Sequence, residues 1–290
     1  MNLFALMPVR NEDWIVGLTA RAALRWVDHL IVLDHASTDQ TYGVLYQVGR
    51  ECPGRITILR EPNPTWAEMG HRQRLLEKAR ELGATHIAIV DADEILTGTL
   101  LGNIRGLIEG TYPLDVLVVP CQNLRGAVDQ VMTTQIWGTA ILPLAFKDGP
   151  ECCWQAVGGY EFHHRQPYGR RMNSFTPIPR SEGGVMHLQF VCRRRLLAKQ
   201  ALYKMQEIIR WPGRQPVHFV DAYYNQAVYA SQQAKTTPVP VAWWAPYDDL
   251  MQYINLSEDF APWQELECQR LWKEYGPSKF AGLDLFGVVK

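Results

Sequence analysis

The sequence predicts an α/β protein with a doubly wound, Rossmann-like, mainly parallel sheet flanked by helices. Three observations carry that expectation. Short apolar strands alternate with helical segments over the first hundred residues, an order that gives parallel strands and crossover helices. The strand ending at Val90 is a run of small and β-branched residues with no polar face, as expected of a strand covered on both sides. The segments following strands one, two and four all carry polar or acidic residues, so these gather at one sheet edge, where open α/β sheets bind ligands.

In chain order, Leu3 to Met7 reads as the first strand, and the polar loop Pro8-Val9-Arg10-Asn11-Glu12 follows it. Asp13 is the expected N-cap of a helix over Trp14 to Trp26. His29 to Leu33 is the second strand, ending in Asp34-His35-Ala36-Ser37-Thr38-Asp39-Gln40-Thr41. Thr38 or Asp39 caps the next helix toward Gly49. Ile56 to Arg60 is the third strand. Trp66 to Leu82 is a helix closed by Gly83. The fourth strand then runs into Asp91-Ala92-Asp93-Glu94, three carboxylates within four positions. Acids at the tip of a buried strand cost solvation energy unless a cation offsets it, and hard oxygen donors suit Mg²⁺ or Mn²⁺. A metal–nucleotide site is the better account of this edge than a solvated turn.

Beyond Glu94 the pattern changes. A helix over Leu100 to Ile108 and a strand over Asp115 to Pro120 precede an irregular stretch, Cys121 to Gly184, rich in Gly, Pro, Arg and aromatic residues. Gly184 to Phe190 is apolar around His187. Helices are expected over Arg193–Arg210, Val217–Gln233 and Pro262–Tyr275. The expected organisation is a nucleotide-sugar-binding half, 1–120, and an acceptor-binding half, 121–290, with C-terminal helices, in one compact domain.

The net charge of −1 gives no global drive toward nucleic acid or acidic membranes, though Arg165 to Arg171 could track phosphates locally. Six cysteines without a Cys-x-x-Cys pair argue against structural zinc and against a disulfide scaffold. The N-terminus lacks the charged and apolar regions of a signal peptide, and no run is long enough to span a bilayer. A cytoplasmic protein, at most peripheral at a membrane, is expected.

Four ordered motifs resemble the family-2-like glycosyltransferases of GT-A fold. They are Pro8 to Glu12, Asp34 with Ser37 to Thr41, Arg72-Gln73 leading into Asp91-Ala92-Asp93-Glu94, and His187 followed by Arg193 to Arg195 and Lys199. The likeness covers roughly residues 3–96 and 185–205. It implies that Pro8, Arg10 and Glu12 line the base and ribose of a nucleotide diphosphate sugar, with Asp34 near the base. His35 departs from the second acid common at that position, and Gln73 stands where asparagine is commoner. Arg72 would approach the nucleotide, and Asp91 would meet the ribose or a metal-bound water. Asp93 and His187 would bind Mn²⁺ or Mg²⁺, with Asp91 as a third candidate ligand, and Arg193 and Lys199 would reach the diphosphate. For an inverting reaction, Glu161 is the first candidate base, with Glu182 and Asp129 as alternatives. His163 and His164 are rival metal ligands to His187.

The acceptor expected by default is a glycan or lipid-linked glycan; a nucleic acid or protein acceptor stays open, as does a homodimer. Two other function classes compete: another nucleotide-dependent transferase, such as a nucleotidyltransferase, and a non-catalytic nucleotide-binding module. The former wants a Gly-rich basic loop after the first strand, which Pro8 to Glu12 does not supply.

Overall fold

A computed structural model describes residues 1–156, 165–172, 176–259 and 261–289. In chain order the elements are β1 (Leu3–Val9), α1 (Val16–Ala23), β2 (His29–His35), α2 (Thr41–Glu51), β3 (Ile56–Glu61), α3 (Glu68–Glu81), β4 (His86–Ile89), β5 (Glu94–Leu96), α4 (Ile104–Glu109), β6 (Asp115–Arg125) and β7 (Gln130–Met132). Then come α5 (Gln135–Gly138), β8 (Ile141–Lys147), β9 (Arg171–Met172), β10 (Val185–Phe190), α6 (Arg193–Arg210), α7 (Val217–Gln233), β11 (Thr236–Pro238), α8 (Val241–Trp244) and α9 (Trp263–Tyr275). The chain is a mixed α/β protein with a mainly parallel central sheet flanked by helices. It divides into two compact units. One comprises 1–122, 140–187 and 240–255; the other comprises 123–139, 188–239 and 256–290.

In the first unit, β3, β2, β1 and β4 lie side by side and parallel, and β8 joins antiparallel to β4 with β6 beyond it. Side chains of a strand alternate between faces, and here they supply two separate cores. Leu3, Ala5, Met7, Leu30 and Val32 pack with Val16 and Ala20 of α1 and with Leu45 and Val48 of α2. Phe4, Leu6, Ile31 and Leu33 pack with Met69, Leu75, Leu76 and Ala79 of α3. Burial on both faces explains why these strands read as unbroken apolar runs.

Helix α1 begins at Val16 rather than Trp14, and its N-cap is Ile15 without a side-chain cap bond. Asp13 instead accepts from Gln40 N, tying the loop after β1 to the loop after β2. The irregular stretch hides β8, and β6 runs to Arg125, five residues past the expected end at Pro120.

Strand β10 pairs antiparallel with β5, setting His187 opposite Glu94. Glycine makes that approach possible. Gly184 has φ +149°, and an added Cβ would stand 2.0 Å from the Pro120 carbonyl oxygen. Its N–H donates to Thr97 Oγ1 (3.1 Å), and Thr97 N–H donates to its carbonyl (2.9 Å). Gly184→Ala is therefore expected to cost roughly 2–4 kcal/mol from backbone strain and steric displacement. Urea unfolding checks this; an unchanged midpoint would contradict the close packing.

The second unit holds the end of β6, where Leu124 pairs with Val131 of β7, and β11 alongside β7. Helices α6, α7 and α9 pack together. Ala201, Leu202, Met205, Cys268 and Leu271 form one core with the C-terminal segment. Among the described residues, no helix is long and apolar enough to cross a membrane.

Candidate active site

The carboxyl ends of β1, β2 and β4 lie in parallel register, Val9 beside Asp34 and Leu6 beside Ile89. Two non-glycine residues adopt positive φ at this edge, Asn11 (+53°) and Ala36 (+49°). Asn11 is held there by its own amide. Asn11 Oδ1 accepts from Thr38 N–H at 2.6 Å, and Asn11 N–H donates to Ser37 Oγ at 2.9 Å. Strained backbone fixed by side-chain bonds is characteristic of ligand-binding edges.

Pro8 lies within β1, and Arg10 just beyond it donates to the Pro64 carbonyl at 2.7 Å. Glu12 takes the Trp14 indole N–H at 2.5 Å, and its own N–H donates to Thr41 Oγ1. Asp34 is fully buried. Its Oδ1 accepts weakly from Ser37 N–H (3.3 Å), while Oδ2 accepts no hydrogen bond and has Arg60 Nε at 3.5 Å. A buried carboxylate oxygen without a donor calls for an explanation, and a ligand N–H would satisfy it.

His35 Nε2 meets the Asn63 carbonyl at 3.0 Å, and its ring lies 4.3 Å from that of His71, with Trp66 edge-on to both. Burial, reinforced by the Arg10 charge, pushes His35 down to about 4; burial and the neighbouring His35 do the same for His71. Both are neutral at pH 7. The unfolded chain takes up their protons near pH 6.5 while the folded chain does not until about 4. Stability from this pair is therefore present above pH 6.5 and falls as pH drops toward 4, by up to about 1.4 kcal/mol per pH unit for each ring. His29 and His86 shift the same way. Thermal midpoints should decline from pH 7 to 5, less steeply in His71→Phe; an identical slope in that variant would contradict the account.

Behind the tip of β4 lies a charged network. Arg72 of α3, buried, bonds Glu68 Oε1 and Asp91 Oδ1, each at 3.1 Å. Arg165 donates to Asp91 Oδ2 (2.9 Å), to both Glu94 oxygens (2.8 Å each) and to the carbonyls of Ile89 (2.7 Å) and Pro143 (2.8 Å). Glu94 Oε2 in turn accepts the Asp91 N–H at 3.0 Å. Burial alone would raise the Asp91 pKa, but the two guanidiniums hold it below the usual carboxylate range. Asp91 is thus a fixed anion, locked from both sides. The sequence places Arg165 on a stretch able to track phosphates; its guanidinium is instead engaged internally, reaching Asp91 across 74 residues of chain.

Asp93, nearly buried, faces His187: Oδ2 and Nε2 are 3.5 Å apart, and Cys121 Sγ lies 4.0 Å from His187 Nδ1. Burial alone would lower His187, but the Asp93 carboxylate more than offsets it and raises the pKa to about 10. Among the described residues, no cluster of three or more His, Cys, Asp or Glu side chains could hold a metal ion by itself. Asp91, engaged by its arginines, makes no third donor with Asp93 and His187.

Arg193 and Lys199 are on α6 in the second unit. Asp129 lies before β7, where its carbonyl accepts from Val239 N–H, and the exposed Glu182 offers its carbonyl to Thr99 Oγ1. Glu161, His163 and His164 lie outside the described residues.

No family model matches the chain, and no curated protein does. Among solved structures it is similar to TarS of S. aureus, at 11% identity and TM-score 0.47, covering 97% of this chain and 54% of that one. It is also similar to the mannosyltransferase PcManGT from Pyrobaculum calidifontis in complex with GDP-Man and Mn²⁺ (14% identity, TM-score 0.40, 87% and 78% covered). A third is glucosyl-3-phosphoglycerate synthase from Mycobacterium tuberculosis in complex with Mn²⁺, UDP and glucosyl-3-phosphoglycerate (20%, TM-score 0.30, 44% and 46%). At these TM-scores the likeness carries no functional weight; the chemistry of the side chains does.

Proposed function

We propose that the protein is a metal-dependent glycosyltransferase of GT-A type that moves a sugar from a nucleotide diphosphate sugar to a hydroxyl acceptor. A glycan or lipid-linked glycan is the acceptor class we assign. The observation that carries the reading is Asp93 facing His187 at 3.5 Å, beside an arginine-locked Asp91 at the carboxyl end of a parallel sheet.

The donor set fits Mn²⁺ or Mg²⁺. One carboxylate and one imidazole suit a cation that keeps several positions for substrate phosphate oxygens and water. When bound, the ion supplies Lewis-acid stabilisation of the diphosphate leaving group. Asp93 and His187 would hold it, His187 through its neutral imidazole. Asp91, kept anionic by Arg72 and Arg165, accepts a ribose hydroxyl or a metal-bound water. The unsatisfied Asp34 Oδ2 accepts a base N–H, while Pro8, Arg10 and Glu12 line base and ribose. Arg193 and Lys199 remain the sequence's candidates for the diphosphate. Inversion at the anomeric carbon needs a carboxylate to take the acceptor proton, and Glu161 is our assignment.

Release of nucleoside diphosphate from UDP-, GDP-, CDP- and TDP-sugars with Mn²⁺ tests the reading. Slow metal-dependent release from one of them is expected. Binding without release would favour a non-catalytic module. His187→Ala should weaken Mn²⁺ affinity while lowering the thermal midpoint little; a purely thermal defect would return His187 to a packing role.

A further inference from the structure

The second unit contains a cavity of about 360 Å³, within the range of roughly 300–1,000 Å³ that small-molecule sites occupy. Of the residues considered for the donor, its lining includes only Arg193. Its wall is apolar: Phe190 and Leu196 are buried core residues, and Leu197 packs against the same cluster. Two guanidiniums stand on this wall, Arg125 and Arg193.

The charge of that lining is not balanced from within. Arg125 donates to the backbone carbonyls of Ser231 and Gln232, and no carboxylate pairs with it among the described residues. Arg193 is exposed and pairs with none there either. The one acid in the lining, Glu258, is engaged by the Cys192 thiol at 3.1 Å and by Arg194 N–H at 3.5 Å. An apolar wall carrying two forked cations against one carboxylate keeps a net positive charge, complementary to a molecule with one greasy part and one acidic end. Guanidinium forks match carboxylate and phosphate oxygens alike.

We propose that this cavity binds an amphipathic anion, its apolar chain against Phe190, Leu196 and Leu197 and its carboxylate or phosphate on Arg125 and Arg193. The site stands independently of the glycosyl-transfer reading. It also gives Arg193 a partner other than the donor diphosphate.

Calorimetric titration below the micelle concentration tests it, with decyl phosphate, decanoate, decanol and inorganic phosphate as probes. Saturable one-site binding of decyl phosphate or decanoate is expected, and whichever binds tighter identifies the head group. Decanol and inorganic phosphate should each bind far more weakly. Arg193→Gln, which removes no side-chain hydrogen bond or ion pair among the described residues, should weaken binding roughly tenfold, the worth of one charge-assisted hydrogen bond. Leu197→Glu, at a partly exposed position, should abolish it with the thermal midpoint retained. No saturable binding, equal binding of decanol, or insensitivity to Arg193→Gln would overturn the proposal. So would displacement of decyl phosphate by UDP with Mn²⁺, which would return Arg193 to the donor site.

Discussion

Asp93→Asn is expected to lower sugar transfer by roughly 10³-fold or more, the upper scale for losing charge stabilisation at a developing anion, while the fold survives. The amide keeps the shape and removes the charge. His187 then loses the carboxylate that keeps it protonated, and its pKa falls with burial. It becomes a neutral histidine, so no unpaired buried charge is left. The loss should appear in kcat as well as in donor affinity, because the interaction removed strengthens as the diphosphate departs. Wild-type turnover in Asp93→Asn, measured as nucleoside diphosphate release, would sink the metal-site reading.

Arg165→Met should be the most destabilising single change at the site. It strands the Asp91 and Glu94 carboxylates together with the Ile89 and Pro143 carbonyls. Breaking a buried ion pair from one side costs about 3–5 kcal/mol, which for a chain of this size is a fall of roughly 10 °C in thermal midpoint. Arg165→Lys should recover only part of this, since an ammonium cannot fork across two carboxylates. Differential scanning calorimetry separates the outcomes; a midpoint within about 2 °C of wild type for the methionine variant would show that the network contributes little.

The sequence made the edge legible because its physics is local. A strand buried on both faces must be apolar throughout, so its end is visible where Asp34 or Asp91 interrupts the run. Helices α6 and α7 were equally plain, their Arg193–Arg210 and Val217–Gln233 bounds appearing as expected. Strand β8 was not: Ile141–Lys147 contains Pro143 and sits among glycines and turns, and only its pairing with β4 and β6 makes it a strand. The internal role of Arg165 was hidden for a related reason. Its importance lies in reaching Asp91 and Glu94 across 74 and 71 residues, a distance no local pattern encodes. That contact also changes the part Asp91 plays, from a third metal donor to an arginine-held anion beside the Asp93–His187 pair.

The central claim is that Asp93 and His187 join a divalent cation to a nucleotide diphosphate. Calorimetric titration of UDP, GDP, CDP and TDP into the wild-type protein and Asp93→Ala, each with and without Mn²⁺, tests it most directly. One nucleotide should bind the wild type with Mn²⁺ and much more weakly without it, and Asp93→Ala should lose the metal-dependent part. Binding that is equal with and without Mn²⁺, or unchanged in Asp93→Ala, would contradict the account.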